Sequence, residues 1–254
     1  MESALMRQVR ILQVCVLILG IAMAMLLVNL FHPLLGRQRF KVIEAQKVNI
    51  READGTLKAA LSNSAGFNEF QRAANGGGVK FSGLMFYNQE GEEEGGLVYS
   101  GKATEGGQDS DVTLTMDQYR QDQNVYLHHE EHKDAKGSKI EDGLSVNARP
   151  NWKGVDEEYK IYGELEKLSG EQRDALQLKS LQDGKISSNR LFFGVRRGVN
   201  ENLPYDDAGI FIKNKWGRVV IKLYVDNGNK PHFEVLDPLG KATIYELKLE
   251  TTTR

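Results

Sequence analysis

The hydrophobic pattern divides the chain into one long apolar segment and a body in which short apolar runs alternate with polar turns. Residues 11–35, ILQVCVLILGIAMAMLLVNLFHPLL, contain no Asp, Glu, Lys or Arg. A helix rises about 1.5 Å per residue, so roughly 20 apolar residues cross a bilayer core of about 30 Å. The pattern therefore predicts a transmembrane helix at 11–35, after a short tail at 1–10 and before a charged connector at 36–47.

A retained anchor is favoured over a cleaved signal peptide. Ala22-Met23-Ala24 offers a small-x-small cleavage pattern, but the apolar run continues where a polar mature start would be expected. A buried helix of a soluble protein would normally show a polar face, and none is visible. Gly20 and Ala24 form a small-xxx-small pair that can bring two membrane helices together, although such pairs are common by chance.

The side of the membrane that carries the body stays open. Arg7 and Arg10 precede the apolar run, while Arg37, Arg39 and Lys41 follow it. Counting basic residues alone places the C-terminal side in the cytoplasm. A ten-residue basic tail is also typical of a signal-anchor with a translocated body, and we favour this orientation.

The body, residues 48–250, repeats a strand, a glycine turn and a second strand. The turns read Asn88-Gln89-Glu90-Gly91, Asn214-Lys215-Trp216-Gly217 and Asp237-Pro238-Leu239-Gly240, with variants that end at Gly55 and Gly228. In such turns the first side chain accepts hydrogen bonds from the turn backbone, and glycine tolerates a positive φ. The pattern predicts a mainly β body, an antiparallel hairpin meander or sandwich.

The regions between these hairpins show weaker patterns. Residues 63–80 and 130–143 are expected to be loops, residues 101–111 are polar and glycine-rich, and residues 117–123 resemble a helical turn between strands. Residues 156–182 carry helix-spaced apolar positions and predict a helical insertion. Ser169-Gly170 is expected to divide this insertion, with Ser169 capping the second part.

Several segments resemble a group of bacterial proteins. KVNIREADGTLKAALSN, GLMFYNQEGEEEGGLVYSGK and LTMDQYRQDQNVYL, within residues 48–128, are similar to segments of single-pass membrane-anchored β-rich proteins with no established activity. Thr115-Met116 stands where that family tends to have a Ser-Phe pair. The resemblance implies membrane anchoring and β architecture, and it adds no chemistry.

Charge and cysteine content restrict the possible functions. The 33 basic and 35 acidic residues give a net charge of −2, which argues against a general nucleic-acid binder. Cys15 is the single cysteine and lies in the apolar run, so the body has no cysteine nucleophile or cysteine-based zinc site. No cofactor is expected from the motifs present.

The cluster His128-His129-Glu130-Glu131-His132 is the best candidate for metal binding. It lacks the spacing of a helical metalloprotease motif, because the Glu does not directly follow the first histidine of a suitable pair. In an extended strand, His128, Glu130 and His132 would share a face and could bind a metal adventitiously. A solvated charged loop is the favoured interpretation.

Three other polar groups carry weaker hypotheses. Asp117 and Asp122, around Tyr119, could support acid-base chemistry if a cleft brought them together. Glu90, Glu92, Glu93 and Glu94 form an acidic hairpin tip without EF-hand spacing. Arg190, Arg196 and Arg197 form a small basic patch that could contact a phosphate or a lipid headgroup. A structural role is favoured for each group.

The sequence therefore predicts a membrane-anchored, non-enzymatic binding, scaffold or envelope-interaction protein. Its predicted partners are the lipid bilayer, through residues 11–35, and a second copy or another membrane protein, for instance through hairpin edges. One alternative is a hydrolytic or metal-dependent enzyme that uses the carboxylates and histidines of residues 117–132. Another is a structural subunit of a membrane complex. An enzyme would gather these groups in a pocket, whereas a scaffold would expose a flat apolar patch.

Overall fold

A computed structural model describes residues 2–31, 39–71, 81–104, 106–135, 137–150, 155–200, 203–237 and 241–245. The chain separates into two compact units, Met1–Glu44 and Ala45–Arg254. The first contains helix α1 (Glu2–Phe31), and the second contains a mainly antiparallel β sheet with three short helices.

Helix α1 includes a span, Met6–Asn29, that is long and apolar enough to cross a membrane. A signal sequence near the N-terminus would satisfy the same criterion. The helix begins well before the predicted start at residue 11, because residues 2–10 include good helix formers such as Ala4, Leu5 and Met6 and contain no Gly or Pro. Its described part ends at Phe31, and residues 32–35 of the predicted span lie outside the described residues.

The body forms one sheet of twelve strands in which each strand pairs with its neighbour in sequence. The strands are β1 (Lys47–Arg51), β2 (Leu57–Ser62), β3 (Ser82–Tyr87), β4 (Glu93–Thr104), β5 (Gly107–Asp117), β6 (Gln123–Asp134), β7 (Gly137–Ala148), β8 (Ser188–Asn200), β9 (Leu203–Lys213), β10 (Val219–Val225), β11 (Pro231–Leu236) and β12 (Ala242–Tyr245). The predicted hairpin meander is confirmed.

Two helical segments interrupt the meander. Helix α2 (Ser64–Gln71) follows β2, and helices α3 (Asp156–Leu165) and α4 (Gly170–Gln182) connect β7 to β8. The helical insertion predicted at 156–182 is thus present and divided where expected. Ser169 occupies the N-cap position of α4, but its side chain makes no capping hydrogen bond.

Two sequence-based predictions of loops were wrong for the described residues. Residues 64–71 are helical, because Asn63 Oδ1 accepts hydrogen bonds from the backbone N–H groups of Ala65 and Gly66, both at 3.1 Å, and starts α2. Residues 101–104 and 107–111, noted as polar and glycine-rich, extend β4 and β5, and most of residues 130–143 lie in β6 and β7. The predicted helical turn at 117–123 is a hairpin turn, in which Gln121 N–H donates to the Gln118 carbonyl oxygen at 2.7 Å.

The charged strands β6 and β7 are held by pairs across the sheet. Lys139 Nζ lies 3.1 Å from Glu130 Oε2, and Arg197 lies 3.1 Å from Asp142 Oδ2. Opposite charges on neighbouring strands stabilise the pairing of those strands, even where apolar and polar residues do not alternate along them. This is why a run that resembles a solvated loop in sequence forms part of the sheet.

Candidate functional site

One face of the sheet carries an unbroken central row of apolar side chains. Residues directly opposite each other on neighbouring strands lie on the same face, so the register defines the row. The row crosses the sheet from β1 to β11 and consists of Val48, Leu61, Leu84, Leu97, Leu114, Leu127, Leu144, Phe193, Ile210, Leu223 and Phe233. We call this side of the sheet the apolar face.

A second row runs beside the first, two residues along each strand. It consists of Ile50, Ala59, Phe86, Gly95, Met116, Val125, Val146, Leu191, Ile212, Ile221 and Val235. On its other side the central row is bordered by a mixed row in which Tyr99 and Val112 lead to the polar pair His129 and Asp142. The apolar face thus has an apolar centre and a partly polar margin.

The apolar face is open to solvent. Leu61, Leu127 and Phe193, at separate points of the central row, are 53%, 55% and 56% exposed. Among the described side chains of this row, none is buried. A sheet normally covers its apolar face with a second layer, and no described helix or strand supplies that layer here.

The opposite face, which we call the ladder face, is covered by its own side chains. Rings follow one another across the strands in the order Tyr126, His128, Phe192, Phe211, Tyr224 and His232, with centroids 4.8 to 6.0 Å apart. The Arg196 guanidinium lies over Phe192 at 4.2 Å and over Phe211 at 4.6 Å. As a result Phe192 is 0% exposed.

Glycines on the ladder face leave room for these rings. A Cβ at Gly143 would lie 2.6 Å from a ring carbon of Phe192, and one at Gly194 would lie 2.8 Å from another. Gly143 pairs with Gly194, and Gly194 pairs with Gly209. The ladder therefore depends on small residues beside it, and the buried core of the sheet lies on this face.

The three candidate metal ligands are placed differently from one another. His128 is buried between Tyr126 and Phe192, and its Nε2 lies 3.9 Å from Glu141 Oε1 without a hydrogen-bond partner. His132 Nδ1 lies 2.6 Å from Asp109 Oδ1, and Glu130 Oε2 accepts from Lys139. The three residues share the ladder face, as expected for a strand, yet each is engaged separately. Within the described ranges, no group of three His, Cys, Asp or Glu residues could hold a metal ion.

Two of these residues, Glu130 and His132, line a cavity of about 700 Å³. Its walls come from the ends of β4, β5 and β6 and from Phe81, with Ser100, Lys102, Asp109, Asp111, Glu130 and His132 among the lining residues. The hydrogen bond to Asp109 raises the pKa of His132, and burial raises the pKa of Asp111. The cavity lining carries more acidic than basic side chains; Asp109 pairs with His132, and Glu130 accepts a hydrogen bond from Lys139.

The structure brings Asp117 and Asp122 into one electrostatic group. Burial, followed by the carboxylates of Glu93 and Asp122, raises the pKa of Asp117 to about 7. One carboxylate oxygen of Asp117 is buried without a hydrogen-bond partner, whereas Asp122 Oδ2 accepts from the Tyr159 hydroxyl at 2.9 Å. Arg149 lies 3.4 Å from the same Asp122 oxygen. The group can exchange a proton near neutral pH, and it sits where α3 meets the sheet.

Glu90 and Glu92, at the acidic hairpin tip, have structural partners in the neighbouring turn. Tyr119 donates to Glu90 Oε2 at 2.9 Å, and Arg120 bridges Glu90 and Glu92 at 3.0 Å each. This contact joins the β3–β4 turn to the β5–β6 turn. Gln118 Oε1 accepts a hydrogen bond from Asn124 Nδ2 at 3.2 Å.

The predicted basic patch is dispersed. Arg190 Nε donates to the Lys213 carbonyl oxygen at 3.1 Å, and Arg196 lies 3.6 Å from Glu141. Arg197, next along the strand, points to the opposite face and pairs with Asp142. These three arginines do not form a joint anion site.

The turn glycines show how the hairpins close. Gly55, Gly91 and Gly217 have φ values of +92°, +79° and +75°. In the turn that contains Gly228, the residue with positive φ is Asn229, at +59°. Gly240 lies outside the described residues.

The apolar face is the feature that sequence reasoning missed. Its signal was present as one apolar residue at matching positions of successive strands, such as Leu97, Leu114, Leu127 and Leu144. It becomes visible only when the register of all strands is known, including the charged ones. The chain matches no protein-family model, no curated protein and no solved structure at a significant level, so the resemblance of residues 48–128 rests on the sequence segments alone.

Proposed function

We propose that the chain is a membrane-anchored, non-enzymatic binding or scaffold protein that binds an apolar partner surface through its apolar face. The observation that carries the proposal is the exposed central row, which crosses the sheet from Val48 to Phe233. Soluble monomers rarely expose contiguous apolar patches larger than a few hundred Å², and larger patches mark interaction sites.

The arrangement of polar groups supports a binding role over hydrolysis. Hydrolytic catalysis requires a nucleophile or metal and a base that converge on one reacting atom. Here His129 pairs with Asp142, His132 pairs with Asp109, and His128 is enclosed by aromatic rings. Asp117 lies apart from these histidines, beside Asp122 and Arg149.

The anchor supports a role at the membrane. Helix α1 has the length and apolarity of a membrane span over Met6–Asn29, and its apolar side chains are exposed throughout this range. We propose that this helix is retained, and that the body lies on the extracytoplasmic side. A C-terminal reporter that is active only in the cytoplasm should then be inactive. An active reporter would instead place the body on the cytoplasmic side and contradict the proposed orientation.

Photo-cross-linking in intact membranes tests the binding proposal. We expect p-benzoylphenylalanine in place of Leu127 or Phe193 to give discrete adducts with a protein or a lipid, because both side chains are more than half exposed at the centre of the apolar face. Gel shifts and mass spectrometry identify the adducts.

Lys102 provides a matched control, because it is exposed on the ladder face of β4. The probe in place of Lys102 should give few adducts. Equal yields from Leu127, Phe193 and Lys102, or none from the first two, would contradict the proposal.

A further inference from the structure

We propose that the occupant of the apolar face is the same face of a second copy of this chain, so that two sheets pack face to face in a homodimer. This inference rests on the proposed function and names its partner. Its geometry is that of two sheets about 10 Å apart with interdigitating side chains.

The area of the apolar face suits such a dimer. Strands lie about 4.8 Å apart, so rows that cross β1 to β11 are about 50 Å long. Two rows about 7 Å apart, with the margins of their side chains, cover on the order of 800 Å² per copy. A stable, specific protein interface buries about 800 Å² on each partner, so the face is large enough for one complete interface.

The composition of the face makes it complementary to itself. The central row holds only Leu, Val, Ile and Phe, and the second row adds Ala, Gly and Met. The face bears its charge at the margin, where Asp142 is already paired with His129 and Arg197. An apolar centre with a polar rim is the usual anatomy of a protein interface, and two copies bring no unpaired charge to its centre.

The charge of the body favours a protein over a lipid surface. The chain has 33 basic and 35 acidic residues, of which residues 1–44 contain five and two. Residues 45–254 therefore carry 28 basic and 33 acidic residues, a net charge of −5. Anionic headgroups attract basic segments and repel an acidic body. Anchoring also confines copies to one membrane, which raises their effective concentration for each other.

The edges of the sheet leave the face as the main self-association surface. Each strand from β2 to β11 is paired on both sides, so only β1 and β12 offer a free edge among the described strands. Self-association through hairpin edges, predicted from the sequence, is restricted to these two strands. The apolar face extends across the whole sheet.

Co-expression of two tagged full-length copies tests the dimer. With the photo-cross-linker in place of Leu97 in one copy, we expect a covalent adduct that carries both tags, and the probe in place of Lys102 on the same strand should give at least tenfold less. Leu127→Glu in both copies should reduce co-purification of the two tags at least tenfold, because it places two charges in an apolar interface. Lys102→Glu and Gly20→Leu should leave co-purification within twofold of the parent.

The outcomes separate this inference from the proposed function. Adducts from Leu97 that contain only other proteins or lipids would overturn the dimer and leave the binding role intact. Absence of any adduct from Leu97, Leu127 and Phe193 would overturn both. Loss of co-purification in Gly20→Leu, with Leu127→Glu unchanged, would assign association to the anchor helix and overturn the dimer through the apolar face.

Discussion

Gly217 shows how single residues close the hairpins. It ends the β9–β10 turn with a φ of +75°, and its N–H donates to the Asn214 carbonyl oxygen at 3.0 Å. A Cβ there would meet nothing within 4 Å, so any cost of a side chain comes from the backbone conformation.

Gly217→Ala should therefore destabilise the body by about 1 kcal/mol, because alanine is strained at positive φ. Gly163→Ala, in the interior of α3 and also without a neighbour within 4 Å, should stabilise it by about 0.5–1 kcal/mol. Urea unfolding of the full chain in detergent, followed by tryptophan fluorescence, measures both. Equal effects of the two substitutions would show that the positive φ of Gly217 is not the cause of the destabilisation.

Asp117 links stability to pH. Its pKa is about 7 in the folded body and about 3.9 in an unfolded chain. Between these values the folded state binds more protons, so this group makes the free energy of unfolding fall as pH rises from about 4 to 7.

Asp117→Asn should remove this dependence. We expect it to increase the free energy of unfolding by roughly 1–2 kcal/mol at pH 8, with little change at pH 4. Urea unfolding at both pH values measures the difference, with Asp174→Asn on the exposed surface of α4 as the control. A gain of equal size at both pH values would show that the carboxylate charge is not the cause.

At the scale of elements, one buried glutamate fastens α3 to the sheet. Glu158 is 3% exposed; its oxygens accept from Arg149 at 3.0 Å, from the Tyr162 hydroxyl at 2.7 Å and from Ser187 N–H at 2.6 Å. Arg149 follows β7, and Ser187 precedes β8, so the carboxylate joins both ends of the helical insertion.

Glu158→Ala should destabilise the body by about 3 kcal/mol, because the buried Arg149 guanidinium then keeps only its 3.4 Å contact with Asp122 as an ion pair. It should also speed amide hydrogen exchange in α3 more than in β9 and β10. Glu164→Ala, exposed on the same helix, provides the control and should change little. If Glu158→Ala increased amide exchange equally in α3, β9 and β10, Glu158 would not specifically hold α3 to the sheet.

The sequence predicted the elements unevenly, for physical reasons. Hairpins with an Asn-x-x-Gly turn between apolar strands were predictable, because the turn chemistry is local. The strands over 130–134 and 137–143 were not, because their stability comes from charge pairs such as Glu130 with Lys139, which depend on the register. Helix α2 was missed because its start depends on one side chain, Asn63, within an otherwise loop-like composition.

The candidate site was also only partly predictable from the sequence. The shared face of His128, Glu130 and His132 was predictable from strand alternation. Their separate engagement by Phe192, Lys139 and Asp109 was not, because those partners lie on other strands.

At the scale of the whole molecule, we expect α1 to determine whether the protein stays in the membrane. Leu17→Arg with Ile21→Arg places two charges near the middle of the Met6–Asn29 span. Each arginine costs about 2.5–3.5 kcal/mol in helix insertion, so most of the protein should leave the membrane fraction. Alkaline extraction measures this, and Phe40→Arg with Val42→Arg, beyond α1, should remain in the membrane.

The strict meander has a consequence for how the body assembles. Because each strand pairs with its sequence neighbour, most contacts are local, which favours rapid folding for a β protein. The sheet can grow hairpin by hairpin as the chain emerges from the ribosome. The steps from β2 to β3 and from β7 to β8 must wait for the helical segment between them. Gain or loss of a hairpin in evolution would lengthen or shorten each apolar row by two residues and leave the remaining register unchanged.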